Sequence, residues 1–403
     1  MKLTRTAPIS SGNCWTKIWR HDFAPGLGEF MSCDETLRVM NTPKKIDIAL
    51  TNNCNLRCRY CYFFTSEADT GKDLPTAAWL KFFEELKDCA VMDVCLAGGE
   101  PFMRPDLREI ITGAVRNRLR YSLLSNGTLI DDSIAEFIAA SNRCSSVQVS
   151  IDGADSSVHD ASRGGFEQAV RGIKVLQRHN LPLTVRLTIN RFNVNHLEET
   201  AAFLLEEIGL PAFSTNSAGY FGLCRQNNDE ISLTTADRMK AMRSLLRIIK
   251  KYGNRVGAQA GPLAEALQWR ELVQNSNSGK KPNGGGCGVL GSCGGVFSAM
   301  AVRADGVMTP CTQIPHIELG QINQNSLREV WQNHPELNRL RERRNISLRS
   351  FAMCRNCEYA DYCRGGCPAV AYGLGGDENI PSPDACYKQF LSDGGTLPDE
   401  SEY

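Results

Sequence analysis

No stretch of this 403-residue chain is apolar for anything near the ~20 residues that a bilayer span requires. The opening MKLTRTAPISSGNCW has no apolar centre of the kind a secretory signal needs. Net charge is lacking as well, since 45 basic residues offset 45 acidic ones. That balance argues against a nucleic-acid surface and against a polybasic membrane patch. No internal repeat is visible. These absences predict a cytoplasmic globular protein with neither nucleic-acid nor membrane partners. The chain is long enough for two domains and a large core.

What the sequence has in excess is cysteine, 17 residues in all. Disulfides are rare in a reducing compartment, so a cysteine-rich chain there more often binds metal. Three cysteines, Cys54, Cys58 and Cys61, lie in TNNCNLRCRYCYF, and eight fall between Cys287 and Cys386. The other six, Cys14, Cys33, Cys89, Cys95, Cys144 and Cys224, are scattered and read as small core hydrophobes.

From residue 44 to residue 230, strand-like and helix-like segments alternate. KIDIAL, MDVCLA, RYSLLS, SVQVSI and LTVRLTI read as strands. TAAWLKFFEELKDCA reads as an amphipathic helix with Trp79, Phe82, Phe83 and Leu86 on one face. Repeated βα units imply a parallel sheet or barrel. Several strands alternate instead of running continuously apolar. Val147, Val149 and Ile151 oppose Gln148, Ser150 and Asp152, and Leu183, Val185, Leu187 and Ile189 oppose Thr184, Arg186, Thr188 and Asn190. One face therefore packs on helices, and a polar lumen holds a ligand. The predicted divisions are an N-terminal extension (1–43), the barrel (44–230), a helical bridge and linker (231–286), a cysteine-dense domain (287–390) and an acidic, frayed tail (391–403). QNSNSGKKPNGGG, residues 274–286, reads as linker.

Three cysteines at i, i+4 and i+7 could form a helical core stripe. A structural zinc site wants four ligands, and this stretch supplies three. Three thiolates also suit a cubane iron–sulfur cluster with one open iron. Cys-x3-Cys-x2-Cys directly after the first strand of a βα barrel, with Tyr60 before the third cysteine, resembles the radical S-adenosylmethionine (SAM) superfamily. The resemblance implies a partial (β/α)6 TIM-like barrel, with the open iron chelating the amino and carboxylate groups of SAM. Electron transfer then cleaves SAM to methionine and a 5′-deoxyadenosyl radical. LAGGEPF ends the second strand and resembles the motif for the SAM amino group, through Gly98, Gly99 and Glu100. LLSNGT puts Ser125 and Asn126 at the C-terminal rim. Ser150, Asp152 and Arg163, in VSIDGADSSVHDASRGG, resemble positions near the ribose and carboxylate of SAM, and the inward-facing Arg186 joins this cofactor-binding set. Active sites of such barrels lie at that rim.

The C-terminal cysteines run Cys354, Cys357, Cys363, Cys367 and then, after a gap, Cys386, with Cys287, Cys293 and Cys311 upstream. Alone, the pattern also fits two zinc knuckles. Beside the first motif it resembles the SPASM extension of radical SAM enzymes, a cysteine-rich domain. That implies two auxiliary four-iron clusters and three 4Fe-4S clusters in all. Cys287, Cys293, Cys311 and Cys367 would hold the first auxiliary cluster, and Cys354, Cys357, Cys363 and Cys386 the second. Neither would have an open iron, so electron transfer or support is the implied role.

SPASM enzymes mostly act on peptides and proteins. The favoured expectation is a maturase of a ribosomally made precursor peptide, acting by crosslinking, epimerisation or backbone excision. A formylglycine-generating enzyme like the anaerobic sulfatase maturases is an alternative, and a non-catalytic multi-cluster electron carrier is a second. Sulfatase maturases place an aspartate, thought to be the base, directly after the cysteine equivalent to Cys311. Here that residue is Thr312, with His316 and Glu318 close by, so the base itself is not assigned. A flavodoxin or ferredoxin is the expected reductant. About 43 residues precede the first strand, too few for a leader-binding winged-helix domain. Either the rim reads the peptide or a separate leader-recognition protein does. The aromatic CWTKIWRHDFAPGLGEFM reads as a cover for the barrel bottom, or else as a docking strand.

Overall fold

A computed structural model of the chain describes residues 39–66, 71–280, 287–291 and 293–402. The aromatic stretch 14–31 and two of the scattered cysteines, Cys14 and Cys33, lie outside them. Six strands follow one another in parallel. They are β1 (Lys45–Thr51), β2 (Asp93–Gly98), β3 (Arg120–Ser125), β4 (Cys144–Ser150), β5 (Leu183–Ile189) and β6 (Phe213–Ser217). Every predicted strand is present. A short seventh, β7 (Val256–Ala258), adds in parallel to β6.

Alternation in the sequence sets the two faces. Ile46, Ile48, Val94, Leu96, Tyr121, Leu123, Val147, Val149, Val185 and Leu187 are buried beneath the helices. Each such side chain contributes roughly 1.5–3 kcal/mol by leaving water. The helix Thr76–Asp88 closes over this face with Trp79, Phe82, Phe83 and Leu86, all fully buried, and Lys87 in its last turn complements the helix dipole. The inner face carries Asp47, Cys95, Ser122, Gln148, Thr184, Arg186, Ser214 and Asn216, mostly half-buried. Cys95 is therefore not the small core hydrophobe that its scatter in the sequence suggested. It is a buried thiol on the polar side of the sheet, whereas Cys89 and Cys224 are buried as expected.

The curved sheet stays open, and its other edge is built from the cysteine-dense region. β8 (Ala299–Val302) pairs in parallel with β1, from Lys45 opposite Ala299 to Ile48 opposite Val302. β9 (Val307–Thr309) and β10 (Gly320–Gln321) follow antiparallel, giving a linear order of ten strands with β10 and β7 at the ends. The predicted linker is helical in its first part, because the helix Pro262–Ser278 runs through residues 274–278. The acidic tail, expected to fray, is held against two helices. Arg270 Nη2 donates to Pro398 O at 2.8 Å, and Arg243 pairs with Glu402. Among the described residues no helix is long and apolar enough to cross a membrane.

Candidate active site

The loop after β1 carries Cys54, Cys58 and Cys61, and three neighbours fix its shape. Gly99 N donates to Thr51 O and Glu100 N to Asn53 O, both at 2.8 Å. A Cβ on Gly99 would stand 2.1 Å from Asn53 O, and Gly98 has φ +113°. The paired glycines of LAGGEPF thus serve a backbone-to-backbone approach between β2 and the cysteine loop. On the far side, Leu223 N donates to Cys61 O at 2.8 Å and Asn227 Nδ2 to Arg59 O at 2.9 Å. Asp73 accepts from Asn52 N at 2.7 Å, from Thr51 Oγ1 at 2.5 Å and from Asn53 Nδ2 at 3.2 Å. Sequence reasoning missed Asp73, Leu223 and Asn227. Nothing in their local sequence ties them to a loop that is distant in the chain.

Glu100 is buried, accepting Ser125 Oγ at 2.9 Å on one oxygen and Asn126 N at 2.8 Å on the other. Burial pushes its carboxyl up to about 7, against the pull of those hydrogen bonds. Asn126 Nδ2 reaches Asn55 Oδ1 at 2.9 Å, inside the cysteine loop. Asp152 is fully buried. One oxygen takes Tyr60 Oη and Arg163 Nε, the latter at 2.9 Å, and the other takes Thr188 N at 2.8 Å. Arg163 also lies over the Tyr60 ring, 5.3 Å from its centroid. Asp152 and Arg163 thereby tie the cysteine loop to the ends of β4 and β5. Ser150 and Arg186 face each other across those strands. Among the described residues Arg186 Nε is buried with no hydrogen-bond partner, and desolvation lowers its pKa. A buried guanidinium N–H without a partner suits a carboxylate ligand, and a buried carboxylate such as Glu100 can accept from an ammonium.

The fifteen described cysteines are all free thiols. Cys54, Cys58 and Cys61 lie within each other's electrostatic reach, and burial pushes Cys58 up to about 12. Of the C-terminal cysteines, Cys293 and Cys367 lie within electrostatic reach of Cys311, and Cys357, Cys363 and Cys386 lie within reach of Cys354. Burial pushes Cys311 and Cys354 up to about 11. Thiols grouped in sequence this way suit a metal group that displaces their protons, although among the described residues no three His, Cys, Asp or Glu side chains are placed to hold a single metal ion. Beside Cys287, Gly288 N donates to Cys363 O at 2.9 Å, so this backbone runs alongside the second set. Tyr62 projects between the two ends of the chamber. It keeps 37% of its surface open, and its phenol lies within electrostatic reach of Cys61, Cys95, Asp47 and Cys311.

Residues 48–204 match the radical SAM superfamily, and residues 293–358 match SPASM, an iron–sulfur cluster-binding domain. An AdoMet-dependent heme synthase of Methanosarcina barkeri is 28% identical over 357 residues, covering 87% of this chain and 99% of that protein. The mycofactocin maturase MftC of Mycobacterium ulcerans is 28% identical over 353 residues, covering 86% of this chain and 88% of that protein. Among solved structures, Streptococcus suis SuiB bound to precursor peptide SuiA is similar with a TM-score of 0.65 at 17% identity, covering 87% of this chain and 77% of that one. The AdoMet-bound protein anSMEcpe is similar with a TM-score of 0.62 at 18% identity, covering 87% of this chain and 96% of that one. At such identities the two structures speak for the fold.

Proposed function

Because the chain belongs to the radical SAM superfamily and carries a SPASM iron–sulfur domain, we propose that this radical SAM enzyme matures a ribosomally made precursor peptide. Cys54, Cys58 and Cys61 would hold the cluster that binds SAM. Glu100, Ser125 and Asn126 would receive the SAM ammonium end, and Arg186 and Ser150 its carboxylate or ribose. Tyr60, Asp152 and Arg163 brace the loop from behind. Bound together, that cluster and SAM supply a 5′-deoxyadenosyl radical. Two auxiliary clusters, on the Cys287, Cys293, Cys311 and Cys367 set and on the Cys354, Cys357, Cys363 and Cys386 set, would bring the total to three. A flavodoxin-like or ferredoxin-like reductant is the matching partner.

The observation that carries the peptide reading is the polar inner face running from Asp47 to Asn216. A lumen lined by carboxylate, hydroxyl, amide and guanidinium groups offers donors and acceptors to a peptide backbone. The mycofactocin maturase relative points the same way. A second reading, heme synthesis, is favoured by the AdoMet-dependent heme synthase that matches over nearly its whole length.

One experiment separates these readings. The reduced enzyme and SAM are incubated with short precursor peptides encoded beside its gene, with a sulfatase-type peptide, or with a heme precursor, and products are read by mass spectrometry. The expected product is a precursor peptide showing a two-hydrogen loss, deuterium gain from heavy water, or excision. Thr312 is far too weak a base for side-chain oxidation to an aldehyde, so the sulfatase peptide should not become formylglycine. Formylglycine or heme as the stoichiometric product would overturn the proposal.

A further inference from the structure

With Thr312 unsuited, the chamber needs a proton acceptor, and most nearby candidates are engaged. Glu318 turns outward to Arg303 at 2.8 Å and is 61% exposed. His316 Nε2 is 2.7 Å from Glu378, and its ring stacks on Tyr372 with centroids 3.8 Å apart. Glu100 and Asp152 are committed at the rim, and Asp93, at the foot of β2, pairs with Arg120 at 2.8 Å. One further carboxylate stands on the inner faces of β1–β6, and it is Asp47.

Asp47 sits mid-strand on β1, directly opposite Cys95 on β2, which is opposite Ser122 on β3. The Cys95 thiol lies against both the carboxylate and the hydroxyl. Lys45 Nζ is 2.9 Å from Asp47 Oδ1, yet among the described residues that oxygen accepts no hydrogen bond, which sets Asp47 apart from the engaged carboxylates, and its side chain keeps 35% of its surface open. Immediately above, the inner positions of β1 and β2 are Ala49 and Ala97, also paired across the strands. Tyr62 from the cysteine loop, Cys293 and Cys311 share the Asp47 neighbourhood. The carboxylate therefore stands at the chamber floor, with the cofactor rim above it and the first C-terminal thiol set beside it.

We propose that Asp47 is the proton acceptor for the substrate residue being modified, a side chain bearing an S–H, O–H or N–H group that reaches past Ala49 and Ala97. The X–H bond breaks heterolytically, its electron pair stays on X, and the proton bonds to an Asp47 oxygen. The role rests on the peptide-maturase reading. Lys45 lies beside the carboxylate on one side. Cys95, Ser122, Tyr62, Asp93 and Cys293 are the other titratable or polar groups around it.

The test uses cluster-loaded enzyme carrying Asp47→Asn or Asp47→Glu, SAM, reductant and the precursor peptide that the wild type converts, deuterated at the reacting residue. Modified peptide per 5′-deoxyadenosine should fall about 100-fold in Asp47→Asn, the usual size of a lost general base. Deuterium should still pass into 5′-deoxyadenosine, and Asp47→Glu should recover part of the yield. A wild-type yield in Asp47→Asn overturns the assignment. A peptide-free arm measures iodoacetamide labelling of Cys95. Removing the adjacent carboxylate should make that thiolate easier to form and speed labelling several-fold at fixed pH. An unchanged rate sinks the Asp47–Cys95 juxtaposition whatever the substrate. A wild type that converts no peptide defeats the maturase reading, and the labelling arm then decides the place of Asp47 by itself.

Discussion

Asp73 Oδ1 accepts the backbone N–H of Asn52 at 2.7 Å, two residues ahead of Cys54. Its other oxygen takes the Thr51 hydroxyl and the Asn53 amide, so one carboxylate orders the approach to the cysteine loop. Hydrogen bonds to a charged group contribute about 1.5–3 kcal/mol each. Asp73→Ala should therefore loosen the loop without touching a thiol. Loss of iron to a chelator should run several-fold faster than in the wild type, with the same iron content before the challenge.

Anaerobic reconstitution should give about 12 irons per chain, from three four-iron clusters. Replacing Cys54, Cys58 and Cys61 together with Ala should remove about four and abolish formation of 5′-deoxyadenosine. Continued cleavage of SAM by that variant would show that the radical is initiated elsewhere.

Glu100 has a carboxyl pushed up to about 7 by burial. Its acid form dominates below that pH in the free protein, while an ammonium ligand needs the carboxylate. Binding of SAM must therefore expel a proton at pH 6, and affinity should rise toward pH 7 and then level. Glu100→Gln should flatten this dependence and weaken binding by roughly 1–2 kcal/mol, the gap between charged and neutral hydrogen bonds. Calorimetric titration at several pH values, in buffers of different ionisation enthalpy, reads both effects.

Gly99→Ala places a methyl 2.1 Å from Asn53 O, a backbone atom that cannot swing away. Relief requires separating β2 from the cysteine loop, and overpacking of this kind typically costs 1–3 kcal/mol. The dissociation constant for SAM should rise tenfold or more, and the thermal midpoint should drop.

The barrel was legible because its strands alternate. Val147–Gln148–Val149–Ser150 declares a buried face and a wet face by its alternation alone. Cys54, Cys58 and Cys61 were legible for a similar reason, since their short spacing puts them on one loop. Asp73 was not, because its partners lie about twenty residues away and an Asp before a proline-led helix reads as an ordinary turn. Cys95 was misread since a thiol suits either face, and only the register with Asp47 and Ser122 decides which. β8 was equally hidden. AMAV is a four-residue apolar run, and no local signal says that it will pair with a strand some 250 residues earlier.

That pairing makes the two halves of the molecule a single beam. β8 hydrogen-bonds along β1, the strand that leads straight into Cys54, and the chain reaches Cys311 two residues after β9. Among the described residues the sheet runs unbroken from the strand before Cys54 to the strand before Cys311, so sheet geometry sets the gap between those two thiols. Cutting the chain before residue 287 would leave β1 as a bare, sticky edge. A chain cut there should therefore precipitate before it can be loaded with iron.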